Sequence, residues 1–464
     1  MVVTGSSFAI AAGQNDGPTL NIQKGQSVTY TVHEEAGVHF VSTLQYYNQG
    51  PDKDQPGRGM LQCKSTKDAS CNLKDTSTRF IGISVFPPCS ASTSDGCVES
   101  LDVAPAGAEL APAKFLGVSE SGDKMPADPA LNFLEGSSAS LFEATNAPNA
   151  GGTNTYAVVV RALQESRGNK FTLRSLNAAV IPYKDQPDAS LQDGNYHGNT
   201  CVHADAQTCG AVVDFTEGTQ VRVKFRMPSS LGGWFSGRIK GPVMDVAKAT
   251  DTSSLVTIQG ESVTVPTLQK QLSYDEIMGA DKEYLTTMAN WGGKNGVESG
   301  PEGSQSHVFK FIDYFRTKVN DTASSQSTYW SLSTISSGGG SKCLSDTSKI
   351  QGIVTTNAIG YDGRAPEFRG GFLNYQVAGL HYAVGGQELA QGSYDLVMRS
   401  DTARCLYGFS KAPLYATVSV INDKGSKATA TTVVAEKNGW LRMAAYGFTY
   451  SKKIIKVKIT KKKK

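Results

Sequence analysis

Eight cysteines constrain this 464-residue chain more than any other feature. Six fall into three pairs with seven residues between members: Cys63 with Cys71, Cys89 with Cys97, and Cys201 with Cys209. Cys343 and Cys405 remain. Eight cysteines allow roughly 105 pairings, so the repeated spacing carries the assignment. It predicts three local disulfides and a fourth between Cys343 and Cys405. Chain-entropy arithmetic gives about 2.6 kcal/mol for each local loop and about 4.3 kcal/mol for the long one, before strain. The segments inside the local loops are polar, as pinned hairpin tips would be. The competing reading is zinc, but zinc sites favour about two to four residues between cysteines and a second pair at the same site. Disulfides require an oxidising compartment, so the chain is expected to be secreted or displayed on a cell surface.

The remaining composition narrows the class. Hydrophobic residues make up 39% and charged residues 19%, too apolar for a disordered chain. No apolar run reaches the length of a membrane-spanning helix, so no transmembrane segment is expected. Met1 to Gln14 lacks a basic start and a continuous apolar core, and does not read as a complete secretory signal. The expectation is a mature chain with its leader removed. The formal charge is +3, too small to point to nucleic acid. That average hides an asymmetry. Eight lysines and no acid lie between Lys452 and Lys464, so subtracting eight from +3 leaves −5 for the body.

Strand patterns dominate. Val28, Tyr30 and Val32 alternate with threonines. Tyr156 to Val160 is a β-branched run. Val221, Val223 and Phe225 alternate with Arg222, Lys224 and Arg226, the signature of a half-buried strand. Tyr415 to Ile421 and Ala428 to Val434 read as a hairpin across Asn422–Gly425. Asn438-Gly439 is a second turn. The last strand carries Ile455, Val457 and Ile459 on one face, with Lys456, Lys458 and Thr460 on the other. Helical signal is confined to the middle. Ser273 and Glu276 form a capping box. Ile277, Tyr284, Leu285 and Met288 follow, up to Gly292-Gly293. A second helix has Val308, Phe311, Ile312, Phe315 and Val319 on one face, with Ser306 as its cap. The fold class is therefore mainly β: several β-sandwich-like units, with a mixed α/β middle region containing two helices. Three segments are expected: a β-rich domain over 1–185 with two cysteine loops, a mixed domain over 186–392, and a small all-β domain over 393–464. A Cys343–Cys405 bridge would tie the last two together.

Candidate chemistry is sparse. His197 and His203 flank Cys201 and could join a metal site, but an exposed disulfide loop explains them more simply. Asn48, Asp52 and Asp54 offer too few oxygens for calcium. Glycoside hydrolysis needs two converging carboxylates. Asp275, Glu276, Asp281 and Glu283 read as a solvated helix surface, and Asp362 and Glu367 lie in a Gly/Pro loop. No nucleophile elbow accompanies His307 or His381. No catalytic residue, metal ligand or cofactor is assigned. Asn320-Asp321-Thr322 is the single glycosylation sequon noted. Trp234, Phe235 and Trp291 could stack on a ligand, although large aromatics more often fill cores. Lys456, Lys458, Lys461 and Lys462 could contact anions.

Two stretches carry a resemblance. One is Leu373-Asn374-Tyr375-Gln376-Val377-Ala378-Gly379-Leu380-His381, with Tyr394 to Asp401 and Arg404 to Phe409 after it. The other is Gly439-Trp440-Leu441 with Gly447 to Ser451. Together they resemble the C-terminal part of secreted or cell-surface proteins of actinobacteria that have no assigned activity. The resemblance implies an exported bacterial protein and carries over no site residue. The expected function is a structural or adhesion-type surface protein without catalytic activity, its partner a cell-wall polymer, a glycan or a surface protein. A secreted carbohydrate-active protein, either a glycan-binding module or a glycoside hydrolase, is the alternative.

Overall fold

The computed structural model describes residues 24–32, 34, 40–47, 60–93, 95–119, 124–168, 170–187, 201–204, 208–279, 281–289, 298–335, 341–346, 348–408, 414–422, 427–428, 431–450 and 453–461. The protein is mainly β, and its described residues are built around one sheet of 16 strands. Its spine runs Thr431–Lys437, Trp440–Thr449, Gln391–Arg399, Ile350–Thr356, Gly233–Arg238, Ser325–Ile335, Thr172–Pro187, Thr155–Ser166, Phe80–Val85, Thr43–Tyr47 and Met60–Cys63. Strands from all three sequence segments contribute to it. Along this spine the pairing is antiparallel except between Gly233–Arg238 and Ile350–Thr356.

Alternation along the strands explains how both faces are covered. Successive side chains of a strand point to opposite faces. Phe235, Ile353 and Val397 lie in one core. Trp234, Val354 and Leu396 lie in another. The first core is closed by a five-stranded sheet in the order Lys240–Lys248, Ser253–Glu261, Gln220–Pro228, Cys97–Ala104, Ala111–Pro112. Its Val221, Val223, Phe225, Val256 and Ile258 pack toward Val158, Val180, Trp330 and Leu332 of the central sheet. The second core is closed by a six-stranded sheet that includes Phe372–Ala378, Lys453–Lys461 and Leu414–Asn422. We call this the terminal sheet. Two β-sandwich layers thus share one middle sheet. Gly237 permits the close approach at its centre: a Cβ there would lie 2.1 Å from the Ser331 carbonyl oxygen.

A third core is mixed. The strand Ser27–Thr31 pairs antiparallel with Gln269–Ser273 and parallel with Glu298–Ser299. Among the described residues there are four α-helices: α1 (Tyr274–Ile277), α2 (Lys282–Ala289), α3 (Val308–Arg316) and α4 (Ser400–Tyr407). The expected capping box closes α1, with Ser273 and Glu276 each bonding the other's backbone N–H. The first predicted helix is, however, divided into α1 and α2. The Gly279 N–H bonds back to the Glu276 carbonyl and ends α1. The apolar face of α3 is as predicted, with Val308, Phe311, Ile312 and Phe315 fully buried against Val28 and Tyr30. Its cap differs: His307, not Ser306, is the N-cap and makes no capping hydrogen bond with its side chain.

The predicted hairpin after Tyr415 is also corrected. Only Val420 and Ile421 pair with Lys427–Ala428. The chain then leaves this sheet, and Thr431–Lys437 pairs instead with Trp440–Thr449 in the central sheet. The Asn438-Gly439 turn joins those two strands as expected, with φ of 52° and 78° at its two residues, the left-handed pair a two-residue hairpin requires. Helix α4 had no counterpart in the sequence reading.

Candidate functional site

All four expected disulfides are formed, and no free cysteine exists among the described residues. The Cys201–Cys209 bridge staples a short hairpin of the strands Cys201–Ala204 and Thr208–Val212. Its thiols are therefore not metal ligands. His203 Nε2 donates to the Asp185 carboxylate at 2.8 Å, and the ring packs edge-on against Tyr183. His197 lies outside the described residues, as do Asn48, Asp52 and Asp54. Among the described residues no group of three His, Cys, Asp or Glu side chains is placed to hold a metal. No described helix is long and apolar enough to cross a membrane.

The acids singled out by sequence occupy different settings. Asp275, Glu276, Asp281 and Glu283 are exposed. The Ser273 hydrogen bonds hold the Glu276 carboxyl below its ordinary range. Asp281 accepts a hydrogen bond from the Tyr314 hydroxyl at 2.8 Å. Asp362 accepts from the Gln376 N–H at 2.7 Å, and burial raises its carboxyl pKa. Glu367 is exposed. His381 pairs through Nδ1 with the Tyr450 carbonyl at 3.1 Å. Trp234 and Phe235 are each 1% exposed and fill opposite cores. They are core residues rather than ligand platforms, because they sit on a strand covered on both faces. Trp291 lies outside the described residues.

Two buried ionic clusters have no local sequence signal. Arg238 is 1% exposed in the middle of the central sheet. Its Nε and Nη2 donate to the two Glu34 oxygens at 2.8 and 2.5 Å. Its Nη1 donates to the carbonyls of Thr356 and Ala358 at 2.9 and 2.6 Å. The guanidinium lies 4.4 Å from the Tyr361 ring centroid. Burial alone would lower its pKa, but the Glu34 charge raises it and keeps it protonated. The adjoining cavity leaves about 20 Å³ for a water centre, room for roughly one water. That is too small for a ligand, so the cluster is a clamp. Asp395, also 1% exposed, accepts from the Tyr446 hydroxyl at 2.6 Å and the Gly241 N–H at 3.1 Å. Burial raises its pKa.

The basic strand presents a different geometry. Ile455, Val457 and Ile459 point into the second core, each at most 1% exposed. By alternation Lys456 and Lys458 project from the opposite face. Lys456 stands between Asn374 and Ser419, and Lys458 beside Thr417, in register across the sheet. Their ammonium groups lie 5.8 and 5.6 Å from the Phe372 ring centroid, within reach of a cation–π interaction. Neither forms an ion pair among the described residues. Lys461 ends the strand, and Lys462 lies outside the described residues. Comparison with known protein families, with curated sequences and with solved structures returned no match to this chain.

Proposed function

We propose that the protein is an exported structural or adhesion-type binding protein of a bacterial cell surface. It contacts an anionic wall polymer through the outward face of the terminal sheet. The observation that carries this reading is the pair Lys456 and Lys458, set side by side over Phe372 among neutral Asn374, Thr417 and Ser419. Their immediate cross-strand neighbours are neutral, and neither lysine forms an ion pair among the described residues. The four disulfides support the export part of the reading.

The test is binding of the full chain to immobilised polyphosphate and to polygalacturonate. The doubly substituted Lys456→Glu, Lys458→Glu protein is expected to bind at least tenfold more weakly at about 20 mM salt. The difference should shrink at about 200 mM, where screening reaches below 10 Å. Equal binding by the two proteins at low salt would remove this face from the function.

A further inference from the structure

The outer face of the five-stranded sheet carries a second concave feature, far in sequence from the basic strand. The turn after the strand Cys97–Ala104 stands beside the neighbouring strands Gln220–Pro228 and Ser253–Glu261. Together they enclose an open recess of about 460 Å³, within the usual range for small-ligand sites. Its polar lining is Glu109, Gln220, Arg222 and Gln259, and its apolar lining includes Ala108 and Leu110. Arg222 and Gln259 are directly opposite in register. The Arg222 Nε is held by Asp102 at 2.7 Å. This fixes the guanidinium and leaves its two Nη groups as donors. Among the described residues the side chains of Glu109, Gln220 and Gln259 make no hydrogen bond.

The chemistry of this set selects a ligand class. Two amides each supply a donor and an acceptor, the guanidinium supplies donors, and the carboxylate accepts. A sugar hydroxyl both donates and accepts, so neighbouring hydroxyls match this mixture. With Arg222, Asp102 and Glu109 together the site has one net negative charge, which disfavours an anionic ligand. The short apolar wall of Ala108 and Leu110 suits the C–H face of a sugar ring. We propose that this recess binds a single neutral saccharide unit. No aromatic ring lines it, so affinity comes from hydrogen bonds in an open site, with Kd on the order of 1–10 mM. The site is independent of the lysine face and has the opposite charge preference.

The test is saturation-transfer NMR on the full chain with glucose, galactose, mannose, N-acetylglucosamine and glucuronate as separate probes. At least one neutral sugar should give saturable transfer. Gln259→Leu should weaken it at least tenfold. Ala108→Trp, at an exposed turn position, should fill the recess and abolish it. Both variants should keep the wild-type melting curve and bind polyphosphate normally. The Lys456→Glu, Lys458→Glu protein should bind the sugar as wild type does, so each reading can fail alone. The proposal is overturned by the absence of saturable transfer with every neutral sugar. Undiminished binding in Ala108→Trp, or tighter binding of glucuronate than of any neutral probe, overturns it equally.

Discussion

Replacing Arg238 with methionine removes a guanidinium that is 1% exposed in the middle of the central sheet. The substitution keeps most of the side-chain volume, so cavity formation is a minor effect. It takes the guanidinium away from the Glu34 carboxylate, whose side chain is 15% exposed. It also removes the donor to the Thr356 and Ala358 carbonyls. Breaking a buried ion pair from one side costs about 3–5 kcal/mol, because the remaining charge stays desolvated. At about 2 °C per kcal/mol for a large cooperative unit, the melting temperature should fall by about 6–10 °C. The assay is a double-mutant cycle followed by thermal melting and by urea titration. Glu34→Gln added to Arg238→Met should recover about 1–3 kcal/mol relative to additive behaviour, since the stranded charge is then gone. A fall below about 2 °C in Arg238→Met, or strict additivity in the double variant, would refute the clamp.

Three further outcomes follow from other parts of the molecule. Non-reducing peptide mapping should recover Cys63–Cys71, Cys89–Cys97, Cys201–Cys209 and Cys343–Cys405. Serine replacement of the long-range pair should cost more stability than replacement of a local pair, by about 1.7 kcal/mol in the chain-entropy limit; the reverse order in urea titration would contradict that account. Asp395 has a carboxyl pKa raised above 3.8 by burial. The folded state therefore holds its proton to higher pH than the unfolded state does. Its contribution is complete below the unfolded pKa and is lost as pH rises through the folded one. Asp395→Asn should flatten the decline of stability with rising pH in that window, and an unchanged slope would contradict the assignment.

Much of this architecture was readable in the order of the residues. The alternation from Val221 to Arg226 defined both faces of a sheet strand, and that same outward face holds the Arg222 recess. The repeated cysteine spacing named the three local bridges, because a short loop between paired thiols is a local property, and Cys343–Cys405, 62 residues apart, followed as the remaining pair. What escaped was non-local. Nothing near Arg238 announces Glu34, which lies 204 residues away. The return of Ala428 to Val434 was assigned to the nearest strand, yet those residues divide between two sheets. Trp234, set among Gly232, Gly233 and Gly237, could be a ligand platform or a core residue on its local sequence, because cover on both faces of a strand is not a local property. Those glycines instead serve a strand packed so closely that Gly237 has no space for a side chain. Helix α4 is short, and only the glycine at its end, Gly408 at φ 70°, marked it.

The position of the first described strand has a kinetic consequence. Ser27–Thr31 finds its antiparallel partner in Gln269–Ser273, where Gln271 bonds Ser27 across 244 residues. At ribosomal rates of about 5–20 residues per second, that partner emerges about 12–50 s later. Until then Val28 and Tyr30 have no apolar surface to cover them, and both edges of the strand are open. The segment made early is thus among the last to be consolidated. A protease sampling the nascent protein would meet that stretch before its partner strand has arrived to cover it.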